Sequence, residues 1–464
     1  MSTAAPDDVQ ALVGRGFGSL DGARYVLLRV EDAAAARHCL RGLAVTSEAQ
    51  ARASRLTRVL QMAFTAAGLR ALGLAVDAIP GFAPEFLDGL SGDPSRSRRL
   101  GDVENCAPSR WRWGGEAGEP HVLLILLAKQ VEIDGYLAET LAALPGAACT
   151  VVQVNAGSGP VGREPFGFVD GVSQPDVDWD GTLKPGGAKD RLYREDIALG
   201  EFLLGHVNEY GFVADYPEAE GIGRNGTYLV YRQLEQDVVG FWRWTVLRAG
   251  EGGAMALAER MVGRRIDGDP LPALGSEGRN GFTFATDPDG LVCPIGSHIR
   301  RANPRSGDDP RGRRGFLGDL VSSLGLKGTA MHDAVASARF HRLLRRGRPY
   351  GTPPDTQALI AGEMPVEECG LHFICLNASL ARQFEFVQGS WIASPYFGGL
   401  SGEQDPLLGN RCPANGGAPT DAFGYYDQHG TPRLVAGLPR FVTLVGGAYF
   451  FLPGLGGLAR ILRN

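Results

Sequence analysis

The order of strand-like and helix-like segments in the first 154 residues leaves few folds open to this chain. Residues 25–30 (Tyr-Val-Leu-Leu-Arg-Val) have the apolar, partly β-branched character of a strand. Residues 32–44 form an alanine-rich helical stretch opened by Asp32, whose carboxylate can accept from the free N–H groups of a first turn. A second strand reads over 57–65, and Pro120 introduces a third at 122–128 (Val-Leu-Leu-Ile-Leu-Leu-Ala). Residues 131–144 have helical spacing, and 150–154 is again β-rich. The order β-α-β-β-α-β is that of a ferredoxin-like unit. The second half repeats the theme less cleanly: a strand at 227–235, an interrupted helical region at 237–262, a strand at 371–377, a helix at 379–388, and a strand pattern at 440–452 bent at Gly446-Gly447. Two intervening loops, 176–225 and 263–330, exceed ordinary connections and so are expected to be functional.

With 464 residues the chain can hold two domains and a large core. Its net charge of −6 gives no general attraction to nucleic acid, yet basic residues crowd at 298–314 and 339–348. Local positive charge inside an acidic protein suits an internal anion site, while Arg311, Arg313 and Arg314 read as a solvated loop. The seven cysteines, at 39, 106, 149, 293, 369, 375 and 412, are isolated and odd in number, which favours neither a disulfide framework nor a zinc knuckle. Cys375 lies in an apolar run and reads as packing. With no secretory signal pattern and no run of ~20 apolar residues, a cytoplasmic protein with no membrane partner is expected.

Two motifs carry chemistry. The first is Pro294-Ile295-Gly296-Ser297-His298-Ile299-Arg300-Arg301-Ala302-Asn303-Pro304-Arg305. A lone imidazole among guanidinium groups can ligate a metal, and guanidinium forks match carboxylates and phosphates. Haem meets both needs, with iron for the imidazole and propionates for the cations. A basic surface loop with an incidental histidine is the plain alternative. The second motif, Glu164-Pro165-Phe166-Gly167-Phe168-Val169-Asp170-Gly171-Val172-Ser173-Gln174-Pro175, sets one carboxylate in a glycine-flanked apolar turn, which alone is only a turn signal.

Together these motifs make the chain resemble the dye-decolourising peroxidases. Gly167 to Gly171 match that family's distal-aspartate motif, and His298 with Asn303 and Arg305 match its proximal-histidine motif. Segments at 200–205, 225–232, 262–264, 343–351, 370–373 and 446–454 extend the likeness over most of the chain. The resemblance implies an α+β fold of two ferredoxin-like domains with antiparallel sheets and helices. The expected division is 1–215, carrying the distal motif, and 216–464, holding most of the haem. It also implies one haem b per chain as cofactor, hydrogen peroxide and an organic electron donor as partners, and turnover through a ferryl intermediate. Self-association to a homo-oligomer stays open.

Peroxide reduction needs an acid/base, a preorganised cation and a mostly apolar pocket. Asp170, partly desolvated by Phe166, Phe168 and Val169, is the candidate acid/base, with burial expected to raise its pKa. The family pattern, an arginine four residues before a proline, selects Arg345 over Arg346 as the cation. Leu371 and Phe373 alternate on a strand, and the resemblance places both over the haem. His298 is the metal ligand, and its second ring nitrogen needs an acceptor, either Asp405 or Glu385. Asn303 and Arg305, and less firmly Arg300, are expected at the propionates. His332 and His341 read as surface residues, and His372 should face away from the Leu371–Phe373 pocket. Trp391, Tyr396 and Tyr350 are candidate surface relays for donors too large to enter. The rival function is a haem-binding or delivery protein with incidental peroxidase activity, which would need no Asp170–Arg345 pair.

Overall fold

The computed structural model describes residues 4–157, 162–183, 195–272, 278–305, 338–352, 355–362, 367–412 and 417–463. The first half runs β1 (Gly22–Val30), α1 (Ala33–Arg41), β2 (Arg58–Phe64), β3 (Val122–Ala128), α2 (Ile133–Ala142) and β4 (Cys149–Gly157). Asp32 caps α1 as expected, its side chain accepting from the Ala35 N–H at 2.7 Å. The second half supplies β5 (Thr227–Gln236), α3 (Val238–Ala249), α4 (Glu251–Val262) and the short α5 (His298–Ala302). Then come β6 (Leu344–Arg345), β7 (Arg348–Tyr350), β8 (Gly370–Asn377) and β9 (Val442–Leu452). The helical stretch expected at 379–388 runs further, as two π-pitched segments, Ala381–Glu385 and Val387–Ile392.

One sheet joins the halves, in the order β4-β1-β3-β2-β9-β5-β8-β6, with β7 also paired to β8. Each half places its first strand between its last and its next-to-last, the arrangement of a ferredoxin-like unit. The halves meet where Phe64 pairs with Phe451. Both sheet faces are buried, which explains why β3 is apolar throughout rather than alternating. On one face Val26, Leu124, Val230 and Phe451 pack together, and on the other Tyr25, Ile125, Tyr231 and Phe450 do. This period-two sorting separates what lies on either side of the sheet.

Glycines set two irregularities. The helical region 237–262 is two helices because Gly250 has φ 71°, a conformation that costs glycine little. In β9 the register shifts between Leu444 and Gly446, and a Cβ at Gly446 would lie 2.3 Å from Trp113 Nε1. The missing side chain there lets the indole approach the strand closely.

Of the loops expected, 176–225 contains a short parallel pair, Asp176–Asp178 with Asp196–Ala198, and 263–330 contains α5. His332, Arg311, Arg313 and Arg314 lie outside the described residues. Among the described residues no helix is long and apolar enough to cross a membrane.

Candidate active site

The Glu164–Pro175 segment is a loop tied at three levels. Gly167, with φ 102°, donates to the Glu164 carbonyl at 2.8 Å, closing a turn that a side chain would strain. The Glu164 carboxylate accepts from the Phe166 and Phe168 N–H groups, both at 2.9 Å, and from Gln236 Nε2 at 2.8 Å. Trp242 of α3 donates its indole N–H to the Phe166 carbonyl at 3.1 Å, while Phe166 packs on Phe241 with ring centroids 4.6 Å apart. These contacts anchor the loop to the second half and aim Asp170 at a cavity.

Arg345 reaches Asp170 from β6. Its Nη1 donates to Asp170 Oδ1 at 3.0 Å and its Nη2 to the Ser173 carbonyl at 3.3 Å. Its own N–H donates to Gln174 Oε1 at 3.0 Å, so the 164–175 loop and the strand register each other. Arg346 turns the other way and bonds the Leu12 and Val13 carbonyls, as strand alternation requires. Burial alone would push the Asp170 carboxyl up, as the sequence suggested. The Arg345 guanidinium and the Gly171 N–H outweigh it, so the carboxyl lies below its ordinary value. That expectation is corrected: a composition of neighbours cannot report a partner 175 residues away.

His298 opens α5. Its Nδ1 lies 2.9 Å from Asp405 Oδ2, which leaves Nε2 for the cavity. Asp405 is fully buried, and its other oxygen accepts from the Leu407 and Leu408 N–H groups at 2.9 and 2.8 Å. Burial pushes this carboxyl up, but His298 and the N–H donors prevail and hold it low. Glu385, the other acceptor considered, is taken by Tyr449 at 3.0 Å and Arg96 at 2.9 Å. Arg301 braces α5 by donating to the Gly296, Trp391, Ser394 and Glu403 carbonyls.

A single cavity of about 240 Å³ is lined by Asp170, Arg345, His298, Asn303, Arg305, Leu371 and Phe373, so residues from four distant segments converge. Its other walls are largely apolar, including Leu234, Phe384, Val387, Ile392 and Leu407. Sequence reasoning missed three charged lining groups: Glu164, Arg264 and Arg342. The signals were present in the glutamate opening the distal motif, the 262–264 segment and the arginine-dense 339–348 run.

The cavity suits an anionic ligand. Four arginines (264, 305, 342 and 345) line it against the carboxylates of Asp170 and Glu164. Arg264 is pushed down to about 10 by burial, and by the like charges of Arg305 and Arg345. An anion placed there would relieve this crowding. Among the described residues no cluster of three or more His, Cys, Asp or Glu could hold a metal ion. A metal on His298 would therefore need most of its ligands from a bound macrocycle, and a dianionic haem fits both requirements.

Several expectations need correction. Arg300 does not line the cavity; it is buried against the Cys293 and Asp287 carbonyls and the Phe284 ring. Arg305 lines it, but its guanidinium already bonds Glu195, the Asn280 and Phe282 carbonyls and the Asn280 side chain. His341 is buried rather than on the surface, stacked on Phe386 with centroids 3.9 Å apart. Trp391 and Tyr350 are also buried, whereas Tyr396 is 70% exposed. His372 faces away from the cavity, as alternation suggested.

No family model matches the chain. A dye-decolorizing peroxidase of Mycetinis scorodonius is 28% identical over 454 residues, covering 90% of this chain and 79% of that protein. A multifunctional dye peroxidase of an Amycolatopsis species is 28% identical over 460 residues, covering 91% and 89%. Among solved structures, a dye-decolorizing peroxidase in complex with 2,6-dimethoxyphenol superposes with a TM-score of 0.76 at 24% identity, covering 99% of this chain and 100% of that chain. An Auricularia auricula-judae enzyme gives 0.75 at 24% identity, with the same coverage.

Proposed function

We propose that this chain is a haem peroxidase of the dye-decolourising family, and that its own residues divide the work of using hydrogen peroxide to oxidise dyes and phenolics. Haem, when bound, supplies an iron that accepts peroxide and a macrocycle that can be oxidised and re-reduced. His298 is the protein ligand through Nε2, and Asp405 holds its Nδ1–H, fixing the tautomer and raising the basicity of the ligating nitrogen. The two backbone N–H groups on Asp405 keep that carboxylate from turning away. Asp170 takes a proton from the inner oxygen of peroxide and returns it to the outer one. Its depressed pKa leaves it ionised, and so able to act as a base, even in acid. Arg345 stabilises the negative charge that develops on the departing oxygen. Arg264, Arg305, Arg342 and Asn303 line the cavity and would supply the positive charge and hydrogen bonding that the propionates need. Leu371 and Phe373 form apolar wall that limits water.

The observation that carries this assignment is the Asp170–Arg345 contact inside the cavity of His298, which a haem carrier would not need. The haem is proposed to be noncovalent haem b, one per chain, since the sequence has no Cys-x-x-Cys-His attachment motif. The division at residue 215 and a cytoplasmic location, favoured by seven free cysteines, belong to the same reading. Spectroscopy of purified His298→Ala tests it. Haem should be lost or bound only weakly, whereas normal haem content with an unchanged spectrum would show that another residue is the ligand.

A further inference from the structure

Behind the cavity wall lies a buried pair that the peroxide chemistry does not use. On β8, Leu371 and Phe373 line the cavity, and His372 between them projects through the opposite face of the sheet. There it meets the rings of Tyr25, Tyr231 and Tyr350 at centroid distances of 4.9, 5.8 and 4.7 Å, and Trp113 lies 4.8 Å from Tyr231. His372 and Tyr231 are almost completely buried.

The hydrogen bonds settle where the protons are. His372 Nε2 lies 3.1 Å from the Ala156 carbonyl, which can only accept, so Nε2 carries the hydrogen. Nδ1 is then a bare lone pair, 3.0 Å from Tyr231 Oη, and accepts the phenolic hydrogen. Asn155 Nδ2 donates to the same phenol oxygen at 2.9 Å. Burial pushes the imidazole down to about 4 and the phenol far up, so both rest neutral. A phenol loses an electron readily only when its proton has somewhere to go, and here a neutral base waits in line with the O–H.

Resting on the peroxidase reading above, we propose that Tyr231 is a proton-coupled one-electron donor to the oxidised haem, with His372 as its proton acceptor. Peroxide removes two electrons from the enzyme, while phenolic donors return them singly, so an equivalent has to be held between donors. One electron leaves Tyr231 for the oxidising equivalent at the haem. Its O–H bond breaks, and the proton moves to His372 Nδ1. The products are a neutral tyrosyl radical, with Asn155 still donating to its oxygen, and an imidazolium whose Nε2–H stays on Ala156. An electron from the organic donor and the returning proton restore both groups.

Freeze-quench electron paramagnetic resonance of the haem-loaded chain, mixed with peroxide and no donor, tests this. A tyrosyl signal is expected, narrowed when ring-deuterated tyrosine is incorporated. It should be lost in Tyr231→Phe and in His372→Gln, because glutamine can accept the hydrogen bond but not the proton. The peroxide step, followed by haem absorbance, should be unchanged in both variants. In haem-free protein, nitrogen-15 NMR should find His372 protonated at Nε2 alone, a readout that needs no turnover. A signal that persists in Tyr231→Phe, a hydrogen on Nδ1, or a normal peroxide step with no tyrosyl signal each overturns the inference and leaves the peroxidase reading intact. A parent chain that fails to react with peroxide would sink both.

Discussion

Arg345→Leu removes one guanidinium from the cavity while keeping much of the side chain's apolar bulk. Nη1 sits 3.0 Å from Asp170 Oδ1 and Nη2 3.3 Å from the Ser173 carbonyl, so the change deletes one charge-assisted contact and one weaker one. The two side chains are 32% and 36% exposed, so the resting ion pair is screened and contributes about 1 kcal/mol or less to stability. The charge that develops as the O–O bond breaks has no such discount, because it appears inside a pocket built to receive it. By analogy with losing one oxyanion-hole donor, the peroxide step should slow ~100- to ~1,000-fold, about 2.7–4 kcal/mol of barrier. A second effect acts through Asp170. Burial pushes its carboxyl up, and Arg345 is the main group opposing that. In the parent the Asp170 carboxyl lies below the ordinary carboxylate value of ~3.9, so the acid limb of the rate profile should lie below that value too. Without Arg345 the carboxyl protonates at higher pH, and the limb moves the same way. Stopped-flow haem absorbance across pH reads both effects, and Arg345→Lys should recover part of each. A loss under about tenfold with an unmoved acid limb would refute the argument, since the guanidinium would then act on neither peroxide nor Asp170.

Three further expectations follow from local geometry. Gly167→Ala forces a side chain onto φ 102° and sets its Cβ 2.4 Å from Thr356 Oγ1, so it should cost ~1–3 kcal/mol in denaturant unfolding and slow the peroxide step by displacing Asp170. Burial pushes the Glu119 carboxyl up to about 7, with Arg70 partly opposing. The folded state then holds an extra proton between ~4.3 and about 7, so stability falls as pH rises through that window. Glu119→Gln should raise Tm above the parent's on the alkaline side of the window and leave it unchanged on the acid side; equal shifts at both ends would point to packing instead. Tyr396→Phe should lower turnover of a bulky dye without touching the peroxide step, because Tyr396 is exposed whereas Trp391 is not. A dye-specific loss in Trp391→Phe alone would reverse that preference.

What the sequence determined by itself is local. The apolar runs at 25–30, 122–128, 227–235 and 371–377 became β1, β3, β5 and β8, because a strand's periodicity is written in adjacent residues. Asp32 capped its helix, and Gly446 bent its strand, through contacts their own chemistry demands. His298 and Asp170 stood out because their two motifs occur together and resemble those of one family, since each alone reads as a basic loop or a turn. The tertiary structure decided everything that depends on groups distant in the chain. Asp405 rather than Glu385 faces His298, since Glu385 is held by Arg96 and Tyr449. The Asp170 carboxyl sits low rather than high because Arg345 is within reach of it. Arg305 spends its donors on Glu195 and Asn280, and Trp391 is sealed beneath Phe386 and His341. Burial and charge are sums over neighbours in space. No window along the chain contains those neighbours, so residue type can nominate a group for chemistry, but only the fold sets its protonation, partners and exposure.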